Sequence, residues 1–211
     1  YLDWARALDH VPADAVEPAA PPAPKPDVNE RWPRGRKLSV TQIRTWVRDP
    51  YAIYAREILG LRPLGELDEA LGAREYGSAI HAGLESFMKA FPARLPEDSA
   101  RQLTKAFEGA LLEAGFPEHH LVKESIRLAQ AAEDMTALIG ARRSEGWQYV
   151  RAENYGIVTL PEIDFTLSSY ADLIEKSAQG YAVIDYKTGT PASEAVVQAG
   201  FDPQLPLTGV M

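Results

Sequence analysis

Two aspartates and a lysine stand where neighbouring strands would bring them together. In the β-type segment 181–187, alternate side chains share a face, so Asp185 and Lys187 project to the same side. Asp172, near the end of the preceding segment, is as far before the centre of the turn at 177–180 as Asp185 is after it. A regular hairpin therefore sets Asp172 opposite Asp185, within one residue of register.

These three residue types in this arrangement indicate a metal-dependent chemistry. Opposed carboxylates repel each other, and a divalent cation between them would relieve the repulsion. Oxygen ligands suit Mg²⁺, with Mn²⁺ as an alternative. Lys187 could orient or help deprotonate a water and stabilise charge on a phosphate, as in metal-assisted phosphodiester hydrolysis. On spacing alone, a solvated charged pair at a strand end is the simpler interpretation of Asp185 and Lys187. The hairpin register adds support for a metal site but does not decide between the two interpretations.

Helical periodicity in the first two thirds of the chain gives way to β-type patterning after Gly146. Helices are predicted over about 39–58, 75–90, 97–114 and 121–144, with Ser39 or Thr41 as the first cap and Pro50 as a boundary or kink. Strands are predicted over 147–160, 163–175 and 180–187 as a meander, followed by short helices at 193–200 and from about 203. His81 lies beside the apolar stripe of the second helix.

Composition sets limits on the class of protein. The 211 residues, 45% hydrophobic and 25% charged, suit one ordinary domain, and we expect them to be a fragment of a longer polypeptide. With no cysteine, disulfides, thiolate chemistry and cysteine-held clusters are excluded. The start lacks a signal-type leader and no apolar run is long enough for a bilayer, so we expect a cytoplasmic protein without a membrane partner. The net charge of −8 argues against a nucleic-acid partner unless another domain or subunit binds the duplex.

Several ordered motifs resemble one nuclease family. Val183-Ile-Asp-Tyr-Lys-Thr-Gly189 resembles the strand motif of PD-(D/E)XK nucleases of the RecB-like branch. Segments 165–175 and 76–81 are similar to the family's Asp-bearing strand and His-bearing helix, and segment 203–207 to its Gln-bearing segment. Segments 38–43 and 49–54 resemble the first helix of AddB C-terminal nuclease domains.

The resemblance implies a fold and a division of roles. It implies an α/β fold with a restriction-endonuclease-like core, in which helices flank a small mixed β-sheet. The nuclease domain would span 38–211, after an upstream end and Pro/Ala-rich linker at 1–37. The site residues that it implies are His81, Asp172 and Asp185 as metal ligands, the backbone carbonyl of Tyr186 as a further ligand, Lys187 as the catalytic lysine, and Gln204 near the substrate or the lysine.

The implied activity is Mg²⁺-dependent DNA hydrolysis in double-strand break repair, with exonucleolytic cleavage favoured over endonucleolytic cleavage. The DNase would belong to a helicase–nuclease complex with an AddA-like partner subunit. Asp49-Pro50 stands where many AddB domains have Cys-Pro, so no iron–sulfur cluster is expected. Segment 169–175 lacks two basic residues common in relatives, and Thr208 replaces a tyrosine.

Other interpretations stay open at this stage. An inactive nuclease-like domain could guide DNA or dock a subunit, and an unrelated phosphatase-like metalloenzyme would hydrolyse small phosphoesters. Glu153 could face the cleft, although an exposed strand carboxylate is the simpler interpretation. Glu85, one turn after His81, could approach the site, and a solvated helix face explains it equally well. His119 and His120 are interpreted as surface residues of a loop.

Overall fold

The computed structural model describes residues 1–9, 25–32, 36–64 and 71–211. Most of the predicted Pro/Ala-rich linker lies outside these residues. Two short helices, α1 (Leu2–Asp9) and α2 (Val28–Arg31), lie in the described part of residues 1–32. Within the described residues, no helix is both long and apolar enough to cross a membrane.

Side-chain caps set the ends of the first helices of the domain. Ser39 and Gln42 form a reciprocal capping box that starts α3 (Val40–Arg48), which confirms the predicted Ser39 cap. Asp49 ends α3 and caps α4 (Pro50–Ile53), whose first residue is Pro50. A π-helical turn, Tyr54–Ile58, continues from α4. The predicted break at Pro50 is therefore confirmed.

Three longer helices build the core beside the sheet. They are α5 (Ala73–Ala90), α6 (Ser99–Glu113) and α7 (Glu118–Ser144). Gly115, with φ at +93°, interrupts the helical structure between α6 and α7 as predicted. Helix α7 begins before the predicted 121, so His119 and His120 lie in its first turn and the loop interpretation is wrong. His120 packs against Phe116 with ring centroids 5.0 Å apart.

Among the residues that the structure describes, the sheet has four strands and is mixed, which confirms the predicted fold class. The predicted meander is β2 (Gln148–Leu160), β3 (Phe165–Ser177) and β4 (Gly180–Ile184), all antiparallel. A strand that sequence reasoning missed, β1 (Arg36–Ser39), pairs parallel with the start of β3. Since β2 runs along one edge of β3, β1 and β4 share its other edge. Short helices α8 (Glu194–Gln198) and α9 (Gln204–Gly209) follow.

The β3–β4 hairpin has the register expected from its turn. Leu173 pairs with Ile184, so the next two positions, one on each side of the hairpin, are Asp172 and Asp185. Strand β4 ends at Ile184 and not at the predicted residue 187. The backbone N–H of Tyr186 donates to the Asp172 carboxylate at 2.7 Å, so a side chain takes the place of a ladder partner here.

A buried ion pair fixes β3 to α7. Glu175, on β3, is 1% exposed, and the Nε of Arg142 lies 2.5 Å from its Oε2. The Arg142 guanidinium also lies 4.7 Å from the ring centroid of Trp147. Because Leu173 of the same strand belongs to the apolar core with α5, α6 and α7, the strand that carries Asp172 is fixed to the helices at two nearby positions, Leu173 and Glu175.

Candidate active site

Helix α5 and strand β3 bring two of the predicted ligands together. The Nδ1 of His81 lies 3.4 Å from Oδ2 of Asp172. The same carboxylate oxygen accepts the Tyr186 backbone N–H, so Asp172 is oriented from two directions. His81 is placed on α5 one turn before the buried Leu84, which packs the helix into the core.

Glu153 completes a group of three side chains with metal-binding potential. One potential ligand atom from each of His81, Glu153 and Asp172 lies within 4.8 Å of the others. Register pairs Ala152↔Leu173 and Asn154↔Ala171 bracket Glu153 opposite Asp172. We call these three residues the His–Glu–Asp cluster.

Of the two interpretations of Glu153, the structure agrees with the one in which it faces the cleft, and the simpler one, an exposed strand carboxylate, is wrong. The residue is half-buried and lines the same cleft as His81 and Asp172. Its backbone φ is +46°, a left-handed conformation that is uncommon for a residue other than glycine. The symmetry argument used for the β3–β4 turn would have found it, because Glu153 and Asp172 are also equally distant from the centre of the turn between Leu160 and Phe165.

A second group of predicted residues forms beside the cluster. The Nζ of Lys187 lies 2.7 Å from Oδ2 of Asp185, and the side-chain amide of Gln204 donates to Oδ1 of Asp185 at 3.0 Å. Asp185 is thus held by two side chains, and it is not a member of the His–Glu–Asp cluster. Its role as a metal ligand, and that of the Tyr186 carbonyl, stay predictions.

The local electrostatics favour binding of positive charge. The hydrogen bond to Asp172 raises the pKa of His81 against the opposing effect of its burial. Burial, followed by the nearby Asp172 and Glu85 carboxylates, raises the pKa of Glu153. Burial likewise raises the pKa of Tyr186, with Glu175 and Asp172 adding to the effect. A cation in the cluster would relieve the carboxylate repulsion that adds to the effect of burial on the Glu153 pKa.

Two clefts meet at His81 and Thr188. One, of about 710 Å³, exposes the cluster and is also lined by Glu85, which agrees with the interpretation that Glu85 approaches the site. The other, of about 530 Å³, has mostly apolar walls from α5, α6 and α7, together with Asp185 and Lys187. The cluster and the Asp185–Lys187 pair therefore line adjacent clefts that share His81 and Thr188.

The donors of the cluster fit a hard divalent cation. Two carboxylates and one imidazole provide the oxygen and nitrogen ligands that Mg²⁺ and Mn²⁺ accept, and the absence of cysteine excludes thiolate ligands. Mg²⁺ commonly keeps several waters and takes only one or two protein carboxylates, which two opposed carboxylates can supply.

Comparison with known proteins agrees with this geometry. A sequence model of the PD-(D/E)XK nuclease superfamily matches residues 37–210. The chain belongs to the PD-(D/E)XK nuclease superfamily. The match covers all four strands apart from the first residue of β1, and it includes both groups of site residues. The resemblance drawn from the sequence motifs is confirmed at the level of the superfamily.

Relatives in Rickettsia extend the comparison without naming an activity. Uncharacterized proteins of Rickettsia conorii and Rickettsia bellii are each 28% identical to the chain, and one of Rickettsia felis is 29% identical, in each case over 82% of the chain. The chain spans only about a fifth of the length of these relatives, 22% for Rickettsia conorii and 21% for the other two. The AddB assignment therefore stays a prediction.

Proposed function

We propose that this PD-(D/E)XK domain is a DNase that hydrolyses phosphodiester bonds with Mg²⁺, or with Mn²⁺ in its place. The observation that supports this most is the approach of His81, Glu153 and Asp172 to within 4.8 Å beside the Asp185–Lys187 pair. The cluster would hold the ion, with Asp185 and the Tyr186 carbonyl as the further ligands that the resemblance implies. When bound, such an ion acts as a Lewis acid on phosphoryl oxygens.

The chain's own groups account for the remaining parts of the reaction. Lys187 presents a cation to the cleft, where it can stabilise charge that develops on the phosphate or orient an attacking water. Gln204 holds the second carboxylate oxygen of Asp185, so that the aspartate keeps one orientation toward the lysine. Tyr186 fixes Asp172 through its backbone N–H.

Cleavage of labelled linear DNA, with Mg²⁺, Mn²⁺ or EDTA, tests this proposal. We expect metal-dependent cleavage by the wild type and a loss of about 100-fold or more in Lys187→Ala, the usual effect of removing one group that stabilises a charged transition state. Lys176→Ala is the matched control, since Lys176 lies over the Tyr181 ring, away from the cluster. Equal rates in Lys187→Ala and Lys176→Ala would contradict the assignment.

Metal binding is measured separately from activity. In a calorimetric titration with Mn²⁺, Glu153→Gln and Asp172→Asn should each bind the ion more weakly than the wild type. Glu162→Gln is the control, because Glu162 lies exposed in the turn before β3. Binding by Glu153→Gln that matches the control would remove Glu153 from the ligand set.

The biological setting that we propose is a larger helicase–nuclease assembly of AddB type, acting with an AddA-like subunit in double-strand break repair and recombination in the cytoplasm. The motif resemblance supports it, as does the much greater length of the Rickettsia relatives. Exonuclease action predicts that linear DNA is degraded while a closed circle of the same sequence is spared. Equal degradation of both would indicate an endonuclease.

A non-catalytic scaffold is the second candidate. The net charge of −8 favours it, because phosphate contacts normally need a basic surface. The scaffold proposal replaces the DNase if the wild type, joined to its partner and supplied with either metal, leaves DNA intact.

A further inference from the structure

Two tyrosines form an exposed aromatic pair beside the His–Glu–Asp cluster. Tyr155 on β2 and Tyr170 on β3 are register partners, and their ring centroids lie 4.8 Å apart with an interplanar angle of 43°. Tyr155 is 41% exposed and Tyr170 is 60% exposed. The pair is therefore accessible to a ligand from solvent.

A lysine from a third strand adds positive charge to this pair. The Nζ of Lys37, on β1, lies 2.5 Å from the hydroxyl of Tyr155 and 5.2 Å from the centroid of its ring. The lysine is thus held against the aromatic surface and keeps further N–H donors for an anion. We call Lys37, Tyr155 and Tyr170 the tyrosine platform.

The tyrosine platform is continuous with the cluster. Tyr155 lies two residues after Glu153, and Tyr170 lies two residues before Asp172. Two residues along a strand span about 6.5 Å, or about two base steps of stacked DNA at 3.4 Å per step. Tyr170 also lines the cleft that contains His81, Glu153 and Asp172.

We propose that the tyrosine platform binds unpaired nucleotides of a single DNA strand and leads that strand to the cluster. This inference rests on the proposed DNase function and narrows its substrate. Exposed aromatic rings stack on base faces of any sequence, whereas bases inside a duplex already stack on each other. Lys37 supplies the charge for a neighbouring phosphate.

Binding of fluorescent oligonucleotides, measured by anisotropy with Ca²⁺ in place of Mg²⁺, tests the platform. We expect Tyr170→Leu to bind single-stranded oligothymidine about 5- to 100-fold more weakly than the wild type, the usual range for loss of one base–aromatic stack. Tyr170→Trp should keep the affinity, because it keeps an aromatic face. An oligonucleotide with abasic residues should bind wild type and Tyr170→Leu equally.

The chain offers a matched control on another strand. Tyr181 is 67% exposed, and the Nζ of Lys176 lies 5.2 Å from its ring centroid, the same separation as between Lys37 and Tyr155. Tyr181 lines a different cleft from Tyr170, one that is bordered by α9 residues such as Thr208. Tyr181→Leu should therefore bind the oligonucleotide like the wild type.

The outcomes separate this inference from the proposed function. A wild type that cleaves DNA, with unchanged binding in Tyr170→Leu or an equal loss in Tyr181→Leu, would overturn the tyrosine platform and leave the DNase intact. A similar loss for abasic and ordinary oligonucleotides would also overturn it, since stacking needs bases. A wild type that neither binds nor cleaves would refute both.

Discussion

Replacement of Arg142 by alanine should destabilise the domain far more than replacement of a surface arginine. Glu175 is 1% exposed, and Arg142 is the partner whose guanidinium lies against its carboxylate. Removing one member of a buried ion pair leaves a charge without compensation and costs about 3–5 kcal/mol. The stability of a whole domain is about 5–15 kcal/mol, so this change takes a large fraction of it.

The matched control is Arg127→Ala on the same helix. Arg127 lies 2.9 Å from Glu124, but its side chain is 75% exposed, so water replaces the contact and the expected loss is below about 1 kcal/mol. At about 2–4 °C per kcal/mol for a chain of this size, Arg142→Ala should lower the melting temperature by about 6–20 °C.

Urea denaturation followed by circular dichroism at neutral pH gives the two free energies of unfolding. The double variant Arg142→Leu with Glu175→Leu should recover much of the loss, because an apolar pair leaves no buried charge. The reasoning is refuted if Arg142→Ala and Arg127→Ala cost the same, or if the double variant is less stable than Arg142→Ala alone.

Two further predictions concern packing and pH. Gly83→Ala should lower the free energy of unfolding, measured by thermal denaturation, by about 1–3 kcal/mol, because the new Cβ would lie 2.9 Å from the carbonyl oxygen of Ala106 on α6. Gly109→Ala is the control, since its Cβ would have nothing within 4 Å, and it should be neutral or stabilising. Asp172 raises the folded-state pKa of His81 above 6.5, so the stability from this contact is complete below pH 6.5 and is lost as the pH rises through the raised pKa. The melting-temperature difference between wild type and His81→Gln, measured without metal, should therefore shrink with rising pH. A difference that grows would contradict the stabilising contact between protonated His81 and Asp172.

Local signals explain which parts of the fold the sequence could predict. Ser39 with Gln42, Pro50 and Gly115 each act within a few residues, so their effects on helix ends are visible in the chain itself. The hairpin register of Asp172 and Asp185 follows from the turn between β3 and β4 in the same way.

Contacts between distant segments explain what was missed. Strand β1 has only four residues, and Leu38 is its single buried position, so nothing local distinguishes it from a linker. Its partner is the start of β3, with the whole helical region between them. Glu153 could be placed opposite Asp172 from the turn between β2 and β3, but the sequence shows neither its left-handed backbone nor its approach to His81 on α5.

The acidic composition and the proposed phosphate chemistry are compatible once the position of the charges is considered. Glu153 and Asp172 place two carboxylates of the −8 balance in a partly buried group, and burial with mutual repulsion raises the Glu153 pKa. A divalent ion would neutralise both of these charges, whereas arginines elsewhere on the surface would not neutralise them. Lys187 and Lys37 then present positive charge near the cluster, where Asp185 and Tyr155 respectively hold them. A net negative charge therefore weighs against broad duplex binding, but not against capture of one strand at a metal-loaded site.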